Sequence, residues 1–352
     1  MSIRLRMDQR GRARLTDMYG RYRRLAEDPE GCLPMIIIST PVTDLPTWEE
    51  RLADPRVMLD AEIAELQPHL EMEDDRVPSV RIEFGTAQVA AAFGCAMFVP
   101  ENNLPCAGSH SLSRAEDVFG MPLPGVEAGW FARAWDWTAR WQRELPDWML
   151  FDLPDIQSAF NTAHLIRGND ILTDFYDSPA AVERLLDLVT DFMLLIVAKF
   201  WAVAGGDTGW FSDWGGAWKG RARISNCSMH MISPDFYRRF VLPRDTRFLK
   251  AIGGGRVHYC GSWPEVIAEY YRLPMLTGLD FDWSIHDVGL VDKAPARVVL
   301  TSTLPLVQGS PILEGMLAGR WPRKRNIIVN ASAASVREGK DLLRRLRKAA
   351  GY

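Results

Sequence analysis

An α/β fold built on parallel strands is predicted by three observations. Short apolar segments alternate with amphipathic helices through the second half of the chain, the pattern of β-α-β units. Helix start signals recur between them. No linker, low-complexity stretch or internal repeat divides the 352 residues, and an α/β barrel often exceeds 250 residues as one domain.

The elements follow in order. Residues 8–28 form an arginine-rich helix, 34–40 an apolar strand, and 55–74 a second helix. Val80–Phe84 alternates as a strand and stops at Gly85. A tryptophan-rich helix spans 127–145 and a strand 149–153. Ser178-Pro179 opens a long helix: serine caps free N–H groups, and proline at the first position has none to leave unpaired. Ser233-Pro234 repeats that signal. Strands then follow at 256–260, 275–280, 298–302 and 326–330, with helices at 263–272 and near 310–319. Ser335-Val-Arg-Glu338 is a capping box for a last helix with Leu342, Leu343 and Leu346 on one face.

Composition narrows the function classes. Hydrophobic residues make up 47% and charged residues 24%, with net charge −4, so no global field favours nucleic acid. Five cysteines, scattered and odd in number, fit a reducing compartment better than a disulfide framework. The basic start lacks an apolar signal core, and the apolar run Phe192–Ala198 falls far short of the roughly 20 residues needed to cross a bilayer. A cytoplasmic protein without membrane or nucleic-acid partners is expected.

His258-Tyr-Cys260-Gly is the sharpest chemical feature. Residues two apart in a strand face one side, so imidazole and thiol would point together at the strand's C-terminal end, where barrel enzymes place catalytic groups. The spacing suits two zinc ligands; a buried histidine beside a packed free cysteine is the ordinary alternative. Asp280 and Asp282 follow the next strand with the same period, as bases, ligands and anchors or as helix caps. Asp213, between Trp210 and Trp214 in a glycine-rich loop, is a pocket candidate. His230 and His286 read as structural. Among 13 tryptophans, those on helices read as core, whereas Trp210, Trp214, Trp218 and Trp283 sit beside polar residues as pocket walls. Arg320–Arg325 and the basic last helix are a solvated face, or a docking face for an acidic partner.

Several words together resemble the uroporphyrinogen decarboxylase superfamily, and within it the branch containing the corrinoid-dependent methyltransferases. They are Ile232–Pro243 followed by Val257-His-Tyr-Cys-Gly261, Phe211-Ser-Asp-Trp-Gly215, Asp177–Leu186, and Glu83-Phe-Gly85 with Ala92-Phe-Gly94. The resemblance runs over roughly 75–350. It implies one (β/α)8 TIM-type barrel over 76–352, with residues 1–75 as a helical extension packed on it. It also implies that His258 and Cys260 bind zinc with a later cysteine from the last strand, and that the zinc activates a thiol for methyl transfer to or from a corrinoid.

The chain departs from that pattern. No cysteine follows Cys260; the expected place reads Val329-Asn-Ala-Ser-Ala333. Two readings follow: a carboxylate, Asp280, Asp282 or Glu83, completes the site, or the chain has lost the metal; Cys227 is the nearest spare thiol, but it precedes the pair. The arginine-rich segment of the decarboxylase is absent from Gly31–Pro41, which argues against a substrate with several carboxylates. The leading expectation is a methyltransferase with zinc at His258 and Cys260, Asp213 and Asp282 as catalytic groups, and Trp210, Trp214 and Glu83 against the cofactor. A small-molecule methyl donor or acceptor and a corrinoid carried by a separate protein complete it. The alternatives are a metal-free lyase of the decarboxylase type, using Asp213 or Asp282 for proton transfer, and a non-catalytic small-molecule-binding barrel.

Overall fold

The computed structural model describes residues 7–206, 208–261, 263–283 and 288–352. Eight parallel strands organise it: β1 (Met35–Ser39), β2 (Ser79–Arg81), β3 (Leu150–Asp152), β4 (Ala222–Ser225), β5 (Gly255–His258), β6 (Leu276–Phe281), β7 (Val299–Ser302) and β8 (Ile327–Ser332). Six of them form one sheet in the order β1-β8-β7-β6-β5-β4, and β2 pairs with β3. The chain is thus α/β with parallel strands, as expected.

The backbone ladder does not close into a barrel. At one seam, Gln157 bridges Ser225 just past β3. At the other, side chains stand in for a neighbouring strand. The Asp75 carboxylate accepts the N–H of Ile36 and that of Asp74 accepts the N–H of Ile38, both at 2.8 Å. Residues 1–75, read as a helical extension, also supply β1 itself.

Both faces of the strands are buried, as parallel sheets require. Alternate residues divide between two clusters. Ile36, Ile38, Leu300, Val329 and Ala331 face the surrounding helices. Met35, Ile37, Val299 and Ile328 face the interior, where they meet Phe211, Ala217 and Trp218 and helix α1 (Gln9–Glu27). Those three belong to a hairpin, Trp210–Asp213 paired with Gly216–Lys219, where the glycines predict a loop. Gly278 on β6 makes room for it: a Cβ there would lie 2.4 Å from the Trp218 ring.

Local signals explain most helix boundaries. Asp8 accepts the Gly11 N–H to start α1. Ser335 accepts that of Glu338 to start the last helix, Val336–Ala350. Ser178 does not cap the long helix α2 (Pro179–Ala204); its hydroxyl donates to Glu116 instead. Val80–Phe84 is a strand only as far as Arg81, because Glu83 turns to accept the N–H of Gly85, whose φ is +76. No described helix is long and apolar enough to cross a membrane.

Glu62, on the helix Pro55–Met72, accepts the Arg81 N–H at 3.0 Å and so ties that helix to β2. Burial, aided by the like charge of Glu65, pushes its carboxyl up from 4.5 to about 8. Between those values the folded state holds a proton that the unfolded state has released, so this group lowers stability as pH rises. Glu62→Gln keeps an acceptor and removes the charge. The variant should melt above wild type at pH 8.5, with the gap vanishing near pH 5; equal melting curves at both pH values would refute the assignment.

Candidate metal centre

The site forms where β4 and β5 end side by side. Asn226 N–H donates to the His258 carbonyl at 2.8 Å, aligning the two strand ends. Cys227 follows at once and opens a short 3-10 turn, Cys227–Met231. His258 is the last residue of β5, and Cys260 lies two residues beyond, outside the strand that was expected to hold it. One ligand atom each from Cys227, His258 and Cys260 lie within 4.8 Å of one another. His258 is buried, Cys227 half-buried and Cys260 exposed, so the set opens to solvent on the Cys260 side.

Asp280 fixes the imidazole. In register with His258 on β6, its carboxylate pairs with His258 Nδ1 and also accepts from Thr303 Oγ1 at 2.8 Å. That leaves Nε2 as the ligand nitrogen, in the carboxylate–histidine arrangement that orients many metal-bound imidazoles. Burial alone would lower the His258 pKa, but Asp280 raises it to about 9. Hydrogen bonds from Cys227 and then His258 lower Cys260 to about 5 against the effect of burial. The same hydrogen bond to Cys260, and then burial, push Cys227 upward. The lowered Cys260 thiol favours the deprotonated form that a cation would bind, and binding would displace the remaining protons.

Asp213 sits deeper. It accepts from Arg81 and Arg256 and pairs with Arg223 at 3.2 Å. Burial would raise its pKa, but Arg223, Arg256 and Arg81 hold it below the ordinary value. Asp213, expected from the sequence as a catalytic group, is thus held among three arginines. Arg256 spans from Asp213 to Asp280 and thereby connects this cluster to His258.

Trp214 reaches the site: its ring centroid is 4.7 Å from that of His258. The guanidiniums of Arg223 and Arg256 each lie 5.3 Å from the same ring. Trp214 and Gly215 form the two-residue hairpin turn with φ of +48 and +73, the signs of a type I′ turn. A bulky residue at positive φ is strained, and the stacking holds it there.

Trp210 does not reach the site. It stands at the base of the hairpin, four residues and so about 13 Å of strand from the turn, and lines a different cavity. Glu83 pairs with Arg81 at 3.5 Å and accepts the Gly85 N–H, with no contact to the three ligand atoms. Burial raises its pKa even so. Asp282 is half-buried just past β6. His230 is exposed on the turn after Cys227, and its Nδ1 pairs with the Cys227 carbonyl. His286 lies outside the described residues.

Two features differ from the sequence expectation. Cys227, the spare thiol, and not a carboxylate, is the third potential ligand; Asp280 is occupied behind His258 and Glu83 with Arg81. The second is β4, Ala222-Arg-Ile-Ser225, whose buried arginine hides its strand character.

Parallel strands with a Cys–His–Cys set at their C-terminal ends define an α/β protein whose three donor atoms could hold a metal ion. The chain belongs to the uroporphyrinogen decarboxylase (URO-D) family, whose match spans residues 44–307. No curated protein matches it. Among solved structures, a methyltransferase from Methanosarcina mazei superposes with a TM-score of 0.69, covering 95% of this chain and 98% of that chain at 15% identity. At that identity the likeness is one of fold.

Proposed function

We propose that this chain is a methyltransferase whose open strand ring is a (β/α)8 barrel, seven of its strands lying in 76–352 and the eighth, β1, supplied by the otherwise helical segment 1–75. Its centre is a zinc held by Cys227, His258 and Cys260. The convergence of those three groups carries the reading. The donor set suits zinc: two sulfurs and one imidazole leave a fourth position open, as catalytic sites do. When bound, zinc lowers the pKa of a coordinated thiol or water and so supplies a nucleophile at neutral pH.

The chain's own residues do the rest. Asp280 holds the His258 ring and its Nδ1 proton. Arg256 holds Asp280 and Asp213 in line behind it. Trp214, 38% exposed, presents an apolar wall beside the imidazole, able to shield a methyl group from water. The methyl donor or acceptor is a small molecule, with a corrinoid on a separate protein as the other partner. A decarboxylase reading fits less well. The interior arginines, Arg81, Arg223 and Arg256, are engaged by the chain's own carboxylates and are not free to neutralise a polycarboxylate.

Free methylcobalamin with a small thiol provides the test. Zinc-loaded protein should accelerate loss of the methylcobalamin absorbance, and Cys260→Ser should abolish the acceleration. Wild-type rates equal to the uncatalysed background with every thiol tried would overturn the proposal.

A further inference from the structure

A second cavity lies at the other end of the strands. It encloses about 500 Å³, within the range of small-molecule sites. Leu150 begins β3, and Ala204 and Trp210 precede β4 in the chain, so the cavity opens at the N-terminal ends, away from Cys227, His258 and Cys260. Its walls include Tyr19, Leu150, Trp201, Trp210 and Phe211. The first comes from α1, Trp201 from the end of α2 and the last two from the hairpin.

Three observations define what it fits. Six aromatic side chains, Tyr19, Tyr22, Phe151, Trp201, Trp210 and Phe211, line it, which favours a flat ring body. The buried hydroxyl of Tyr19 has no hydrogen-bond partner among the described residues. Burial, and then Asp152, raise its pKa to about 12, so it remains an unused donor; such a group costs stability until something accepts from it. At the rim, Asp147 is neutralised by Arg12 at 3.0 Å. Arg23, exposed and also lining the cavity, has no ion pair among the described residues. The rim therefore carries a surplus positive charge.

We propose that this cavity binds a small amphipathic anion, an aromatic body inserted between Tyr19, Trp201 and Trp210 with its carboxylate, sulfonate or phosphate group at Arg23. Occupancy braces the hairpin that carries Asp213 and Trp214 to the metal centre, and ligand that binds only the folded state raises its melting temperature.

The probe is 8-anilinonaphthalene-1-sulfonate, with its uncharged relative N-phenyl-1-naphthylamine as comparison. The sulfonate should show saturable fluorescence enhancement at one equivalent and bind at least tenfold more tightly than the neutral probe. Arg23→Glu should weaken the sulfonate at least tenfold, and Ala204→Trp, which fills the cavity, should abolish its binding. Both variants should keep wild-type circular dichroism and melting temperature without ligand. Unchanged sulfonate affinity in folded Ala204→Trp would overturn the site. Equal affinity for the two probes, or no effect of Arg23→Glu, would overturn the anionic ligand.

Discussion

Replacing either Cys227 or Cys260 with serine should strip the protein of zinc. Wild type, purified without chelator, should carry about one equivalent, the full occupancy of a three-ligand site. A serine hydroxyl at either position leaves two protein ligands, since the three donor atoms of this set come from Cys227, His258 and Cys260. Asp280→Asn removes no ligand. It removes the negative charge that orients His258, and should weaken zinc by about 10–100-fold, the usual cost of losing a supporting partner. The two cysteine variants should exceed that loss. Cys106→Ser, whose half-buried thiol is directed at the Leu104 carbonyl, should keep full occupancy. The informative contrast is between the two thiols. If Cys227→Ser held zinc as wild type does while Cys260→Ser lost it, Cys227 would not be a ligand, and a carboxylate would again be the candidate.

The candidate site was half legible in the sequence. His258 and Cys260 stand two apart, a spacing that predicts convergence in a strand; they do converge, although the strand ends at His258. Cys227 precedes them by a whole helical excursion. Only the pairing of β4 with β5, through Ile224 opposite Val257 and Ser225 opposite His258, brings it alongside. β4 itself was hidden because Arg223 breaks the apolar pattern that marks a buried strand. Its guanidinium is buried all the same, satisfied by Asp155 at 3.0 Å and by Asp213. The hairpin was hidden for a different reason. Its I′ turn uses Trp214-Gly215, where Asn-Gly or Asp-Gly is the usual signal, so the glycines around it read as a loop. Asp213 stands out in the sequence as a candidate catalytic group, but its arginine partners do not. Nothing in one sequence shows that three arginines from three separate strands, Arg81, Arg223 and Arg256, meet on one carboxylate.

That meeting point yields the largest expected change in stability. Arg256 is fully buried and pairs with two buried carboxylates, Asp213 and Asp280. Its guanidinium also stacks 4.6 Å from the Trp218 ring, inside the hairpin that fills the ring of strands. Arg256→Met preserves much of the volume and removes the charge. Asp280 then keeps only His258 as a charged partner, while Asp213 retains Arg81 and Arg223. Breaking a buried pair from one side typically costs about 3–5 kcal/mol, because the remaining charge has no water to return to. Urea unfolding should therefore show a loss of that order for Arg256→Met. Asp213→Asn, which leaves Arg256 paired with Asp280, should lose less. Adding Asp280→Asn to Arg256→Met should recover part of the deficit, since the stranded charge is then gone. A double variant at least as unstable as Arg256→Met alone would show that the arginine acts through packing against Trp218 rather than through charge. Zinc affinity separates the two accounts further. If Arg256 holds Asp280 in position for His258, Arg256→Met should weaken zinc even in urea-free, fully folded protein, whereas a packing role alone would leave it unchanged.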